Sequence, residues 1–463
     1  MSFASSFLSF ALLLTAGFAA PQPEPEPQGL VGGVVDGLVG DLPLVEGVLE
    51  DLADTLSAAS ALVLRPSSVA EASSRISSVI EAQATSNTII EVAADLVEAG
   101  LTPSNVPDAF NFVQGVLTGQ NSDNNNNPRD PSPAAFPKAR RNDAPYSLTE
   151  QQLRAAIYIP PTFQYGRRGA PQPAILVPGT GDTGYTTFIG SYIPLLQGSN
   201  IADPVWLNIP DFLLDDAQVN AEYVAYAVNY IYGISNHRKV AVVTWSQGGI
   251  DAQWAFKYWP STRSRVTDLV AFSPDFHGTI LADLIDAGEP LPPSVLQQEY
   301  NSNFITTLRA NGGDSAYVPT TTVYSGFFDE IVEPQQGRGA SAFLNDARGK
   351  GVTNNEVQKV CPNGSPGGSF YTHEGTLYNP LGFALLVDAL SHKGPGRPSR
   401  LNLKQVCWNY LTPGLDLTDF LLTENSILIA GAAILATPNK VLDEPPIKRG
   451  SSPFDGESAG YAR

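Results

Sequence analysis

A chain of 463 residues, 43% of them hydrophobic, is long enough for one large α/β domain and additional material. Its net charge of -19 argues against nucleic-acid binding, because a polyanion would be repelled. The charge is unevenly placed: residues 1–137 hold 3 Lys/Arg against 16 Asp/Glu, a net of -13, while the remaining 326 residues carry -6.

The apolar stretch Phe7 to Phe18, followed by Ala19 and Ala20, is too short to span a bilayer and has the build of a signal-peptide core. Residues 1–19 are therefore expected to be a signal peptide and the protein to be secreted. Pro21 to Pro27 alternates Pro with Glu and Gln as an extended spacer, and two stretches of helical spacing follow, Leu44 to Leu56 and Ser67 to Ala99. Asn121 to Pro133, mostly Asn, Asp and Pro, has the composition of a flexible linker. Lys138-Ala139-Arg140-Arg141 then offers a dibasic processing site. Residues 20–141 are expected to be a propeptide or accessory segment, mainly helical or disordered, and residues 142–463 the catalytic domain.

Ser147-Leu148-Thr149-Glu150 is expected to cap a short helix. Ala174 to Val177 is a strand running into Pro178-Gly179-Thr180-Gly181-Asp182-Thr183-Gly184. This Gly-rich loop lacks any phosphate-binding signature and instead suits backbone N–H groups aimed at a reacting carbonyl, with the Thr180 hydroxyl as a further donor. Val205 to Ile209 is a strand and Asn220 to Tyr232 a helix. Lys239 to Val243 is a strand that stops at Thr244-Trp245-Ser246-Gln247-Gly248-Gly249, and Ile250 to Trp259 is the helix behind it. Strand, sharp turn carrying Ser246 and helix are the context of a nucleophile elbow, although Thr244 stands where the common pattern has Gly. Further strands are expected at Val266–Phe272, Thr320–Tyr324 and Val352–Val360. Strands alternating with helices imply a mostly parallel sheet flanked by helices, with ligands at the carboxyl ends of the strands.

A serine nucleophile needs a base and an acid that orients it, in the chain order Ser, acid, His. His237 precedes Ser246, and His277 precedes the later candidate acid. His392 has the setting of a solvated helix end, which leaves His373 in an irregular loop as the base. Asp275 and Asp329 both end strands, and either is a candidate acid or a helix cap. Cys361 and Cys407, an even count in a secreted chain, are expected to pair, which is worth roughly 3–4 kcal/mol by loop entropy. Two cysteines and four histidines, all scattered, form no metal motif, so no metal or other cofactor is expected.

The run Thr244–Gly249 with Ala252-Gln253-Trp254, the loop Leu176–Gly181, Pro210-Asp211-Phe212 with Gln218–Tyr223, Ser273-Pro274-Asp275, Pro293–Val295 with Gln297-Gln298, and Tyr324-Ser325 with Asp329–Val332 resemble the fungal lipase B family of α/β-hydrolases. The resemblance covers roughly Gln172 to Pro438 and leaves the first 140 residues outside it. It implies an α/β-hydrolase fold with Ser246 as nucleophile, Asp329 as acid and His373 as base. It implies Thr180 and the Gln247 N–H as oxyanion donors, Trp245 as the floor of an alcohol-side pocket, and Asp275 and Gln298 as acyl-pocket residues. Cys361 and Cys407 match one bridge of that family. Asp182 replaces a Thr of the family's loop, and a carboxylate at the pocket rim is expected to repel anionic substrates or alter selectivity. The implied activity is hydrolysis of carboxylic esters, lipids or small esters. The sequence leaves the oligomeric state open, with a monomer expected. The apolar stretch Ile280–Leu296 and the helix near Leu421–Leu435 are expected to rim the entrance and meet a lipid–water interface. The alternatives are a short-chain esterase or acyltransferase, or a catalytically silent binding protein on the same fold.

Overall fold

The computed structural model describes residues 66–82, 99–101, 119–280, 290–326 and 328–448. The expected signal peptide, the spacer, Leu44–Leu56 and residues 83–98 of the second helical stretch lie outside the described residues.

Seven strands form one sheet: β1 (Ile157–Tyr158), β2 (Gln172–Val177), β3 (Ala202–Leu207), β4 (Val240–Trp245), β5 (Val266–Phe272), β6 (Thr320–Tyr324) and β7 (Val352–Glu356), in the order β1-β3-β2-β4-β5-β6-β7. Only β1 runs antiparallel, Ile157 opposite Leu207; every other pair is parallel. The sheet's two faces follow the two-residue period of a strand. Ile175, Val177, Val240, Val242, Leu269 and Ala271 face one core, with helix α3 (Ala217–Ile234) and helix α4 (Gly248–Tyr258) packed on it. Ala174, Leu176, Ala241, Val243, Val270 and Phe272 face the other, covered by α5 (Pro380–Ser391) through Leu381, Leu385 and Leu386 and by α6 (Leu417–Ala436) through Phe420 and Leu421. Burying one such aliphatic side chain contributes about 1.5–3 kcal/mol, so both strand faces are committed and register slip is disfavoured.

Helix α1 (Val69–Ala82) joins the second core: Ala72 and Ile76, one helical turn apart, are buried there with Leu101. Helix α2 (Glu150–Ala155) starts at Thr149, whose box closes with Gln152 and not within Ser147–Glu150 as expected. The expected strand at Val352–Val360 ends at Glu356, and Val357–Val360 turn into a short helix.

The segment expected as a flexible linker is tied to the body along its length. Asn125 Nδ2 donates to the Ala155 carbonyl at 2.8 Å, Asn127 Nδ2 donates to the Arg154 and Ile157 carbonyls at 2.9 and 2.8 Å, and the Arg129 carbonyl accepts from the Tyr230 hydroxyl at 2.9 Å. Composition misleads here because side-chain amides also serve as partners for backbone groups. Lys138, Arg140 and Arg141 are exposed. Of the two stretches expected to rim the entrance, 281–289 lies outside the described residues. Leu291, Val295 and Leu296 pack with Ile434 of α6 in a small cluster of their own. Among the described residues no helix is long and apolar enough to cross a membrane.

Candidate active site

Strand β4 ends at Trp245, and Ser246 takes the left-handed conformation at φ 52 before α4 begins at Gly248. An L residue there is strained and must be held. The Ser246 N–H donates to the Phe272 carbonyl at 2.9 Å, and its carbonyl accepts from Gly249 N–H at 2.8 Å. The glycines are required by close approach. A Cβ on Gly248 would stand 2.5 Å from the Pro178 carbonyl oxygen, and one on Gly179 would stand 2.9 Å from Ser246 Cβ. Glycine at both positions thus lets the loop after β2 lie directly on the elbow.

His373 follows the short strand β7 and the disulfide region, and its main chain is clamped. Its carbonyl accepts from Trp245 Nε1 at 3.2 Å, Ser273 Oγ at 3.1 Å and Thr376 Oγ1 at 3.0 Å, and its N–H donates to Glu330 Oε2 at 3.0 Å. Ring Nδ1 lies 2.9 and 3.0 Å from the two Asp329 oxygens. Asp329 Oδ1 also accepts from Val332 N–H at 2.8 Å, which fixes the carboxylate. Nε2 is buried and has no hydrogen-bond partner among the described residues. With the carboxylate at Nδ1, a neutral ring keeps its proton there and presents the Nε2 lone pair. Burial pulls the His373 pKa down, but the Asp329 charge and hydrogen bond, with Glu330 and Asp275 nearby, outweigh it and hold it above the usual range.

Of the two candidate acids, the structure brings Asp329 to the imidazole. Asp275 lies nearby with both oxygens buried and unpaired among the described residues, and burial lifts its pKa to about 7. Trp245 is 1% exposed, its ring 5.1 Å from that of His373. The Thr180 hydroxyl lies 2.8 Å from Gln247 Oε1 and 2.9 Å from Gln298 Oε1. Gln298 Nε2 donates to the Ser294 carbonyl at 2.9 Å and to Gln247 Oε1 at 3.2 Å. Thr180, Gln247 and Gln298 therefore form one neutral network beside Ser246, and one hydroxyl hydrogen serves several acceptors. The Gln247 N–H stands at the head of α4, where N–H groups lack intrahelical partners.

Asp182 corrects an expectation. It is fully buried and turned inward, accepting from Thr186 Oγ1 at 2.7 Å and Thr187 Oγ1 at 3.3 Å, so it puts no carboxylate on the rim. Sequence reasoning missed the acids around His373. Glu330 is lifted to about 8 by burial and by Asp329, Glu424 to about 7 by burial, and Glu374 well above its ordinary value by burial, Glu424 and Glu330. The signal available was adjacency: Glu330 follows Asp329 and Glu374 follows His373. Cys361 and Cys407 are bonded, closing 46 residues of chain that include the His373 loop.

No family model matches the sequence. The chain is 38% identical over 290 residues to lipase B of Pseudozyma antarctica, a match covering 61% of this chain and 80% of that protein. The crystal structure of Aspergillus fumigatus lipase B superposes with a TM-score of 0.81 at 44% identity, covering 91% of this chain and 99% of that one. That coverage exceeds the share made up by residues 142–463, so the similarity reaches into the first 140 residues, which the resemblance in sequence had left outside. With 80% of the Pseudozyma protein matched and the elbow, the Asp329–His373 pair and the Thr180 loop meeting at the carboxyl ends of the parallel strands, the chain belongs to the lipase B family of α/β-hydrolases and is a carboxylic ester hydrolase.

Proposed function

We propose that this enzyme cleaves lipid esters, triacylglycerols among them, outside the cell by an acyl-enzyme route centred on Ser246. The observation that carries the reading is the buried His373, held by Asp329 at Nδ1 with Nε2 unpaired among the described residues. Ser246 Oγ attacks the ester carbonyl as its proton passes to Nε2. The tetrahedral oxyanion accepts from the Gln247 N–H and from the Thr180 hydroxyl, which rotates away from the Gln247 and Gln298 amide oxygens. The intermediate collapses with the C–O bond breaking, and the imidazolium protonates the departing alcohol. Water, deprotonated by the same imidazole, then releases the acid and restores Ser246. Each oxyanion donor is worth about 3 kcal/mol in such sites. Asp275 and Gln298 line the acyl side and Trp245 the alcohol side. An N-terminal signal peptide directs secretion, and the exposed basic residues before Asn142 are the processing point.

The test is hydrolysis of p-nitrophenyl esters of increasing chain length by the full secreted chain and by Ser246→Ala. Loss of activity and of fluorophosphonate labelling in the variant is expected, with turnover of long-chain esters by the wild type. Equal activity in Ser246→Ala overturns the mechanism; turnover confined to short acyl chains overturns the lipid assignment.

A further inference from the structure

Asp211, Phe212 and Leu213 adopt left-handed backbone angles in succession, with φ of 53, 53 and 58. Three consecutive L residues in this region do not persist without external restraint. The carbonyls of this turn reach both sides of the oxyanion site. The Phe212 carbonyl accepts from Gly181 N–H at 2.9 Å, next to Thr180, and the Leu213 carbonyl accepts from Gln247 Nε2 at 3.1 Å. The second bond aims Gln247 Oε1 back at the Thr180 hydroxyl. What holds the turn is Asn220 in the first turns of α3, 1% exposed, whose Nδ2 donates to the Leu213 carbonyl at 2.9 Å and to the Asp215 carbonyl at 3.1 Å.

We infer that Asn220 is a positioning residue for the oxyanion site: it clamps the left-handed turn, and the turn sets both Thr180 and Gln247. The inference rests on the proposal that these two groups receive the oxyanion. Asn220 touches no reacting atom and acts through the turn, at the Leu213 and Asp215 carbonyls. The Leu213 carbonyl takes donors from Asn220 and Gln247 together, so the two side chains work on a shared element and their removals are expected to be coupled, not additive.

The experiment is a double-mutant cycle on the full chain with p-nitrophenyl butyrate, using Asn220→Ala, Gln247→Met and both together. Rates are expressed per Ser246 titrated by fluorophosphonate to end point, so that misfolded protein does not count. Asn220→Ala is expected to lower kcat about tenfold with KM within about twofold, the effect of a small misplacement of a donor. Binding of a boronic acid that forms a tetrahedral adduct on the serine weakens by a similar factor. The double variant is expected to fall no lower than the weaker single one. Losses that multiply, or an Asn220→Ala enzyme with wild-type kcat per titrated site, overturn the inference while leaving the proposed mechanism intact. A wild-type chain inert to ester and fluorophosphonate overturns both. If Asn220→Ala does not fold, Gln247→Met cuts the same tie from the other end, and an unchanged kcat and boronic-acid affinity in that variant overturn the inference.

Discussion

On one side of Ser246 stand Asp329, Glu374 and Glu424, all buried, with Glu330 beside them, whereas Thr180, Gln247 and Gln298 on the other side carry no charge. On the imidazole side, burial and neighbouring acids raise the pKa values of Glu330 and Glu374, and burial raises that of Glu424. The opposite side is held by amide and hydroxyl hydrogen bonds and by strained backbone at Ser246 and Asp211–Leu213. The first arrangement responds to pH, because desolvated acids titrate across the working range. The Thr180, Gln247 and Gln298 side chains themselves do not titrate, and that network responds to displacement. Substitutions on the imidazole side should therefore move pH profiles, and substitutions on the oxyanion side should change rates at every pH alike.

The sharpest way to break this contrast is Asp329→Asn. An amide at that place no longer favours the tautomer with the proton on Nδ1, and kcat should fall about 10⁴-fold at neutral pH. A loss of less than about tenfold would assign the orienting role to another acid, Glu330 or Asp275. Replacing Cys361 and Cys407 by alanine, measured by denaturant unfolding, should cost about 4 kcal/mol, the loop-entropy value for a separation of 46 residues. Since the closed loop carries His373 and not Thr180, the folded variant should lose its imidazole geometry before its oxyanion geometry. Thr180→Val removes one neutral donor, and kcat should fall about 10²–10³-fold. The pH midpoints of kcat/KM should stay in place; a shifted midpoint would mean that the two sides are coupled.

Much of this architecture is legible in the residues themselves, for definable reasons. The β4 run Val240–Trp245 is apolar on both faces and is followed by two glycines, a pattern that only a buried strand and a close turn accommodate. The chain order of Ser246, Asp329 and His373 limits the possible partners. The rest is decided by tertiary contacts. The direction of the Asp182 carboxylate depends on Thr186 and Thr187, which face it only once the helix Gly184–Phe188 has formed. Glu424 lies in α6 and Glu374 beside His373, 50 positions apart, and no periodicity links them. Asn127 and its neighbours have linker composition, yet they bond to α2 and β1. The left-handed turn at Asp211–Leu213 contains no glycine, so the usual mark of positive φ is missing.

The smallest expected effect bears most directly on the charged side. Glu374 and Glu424 are fully buried, and Tyr378, Tyr410, Glu330 and Thr372 are the polar groups around them. Burial, joined at Glu374 by the neighbouring carboxylates, lifts Glu374 well above its ordinary value of 4.5 and Glu424 to about 7. Between 4.5 and those raised values the folded chain binds more protons than the unfolded one. Stability from these groups is thus fully present below about pH 4.5 and is lost as pH climbs through 7 and beyond. Glu374→Gln keeps the shape of the protonated acid and removes the charge that would have to be buried at higher pH. Thermal unfolding should show the variant's Tm within about 0.5 °C of wild type at pH 4.5 and about 1–2 °C above it at pH 8, which corresponds to about 1 kcal/mol for a domain of this size. Parallel Tm curves would mean that Glu374 is not protonated in the folded enzyme, leaving Glu330, Glu424 and His373 as the groups through which the imidazole side responds to pH.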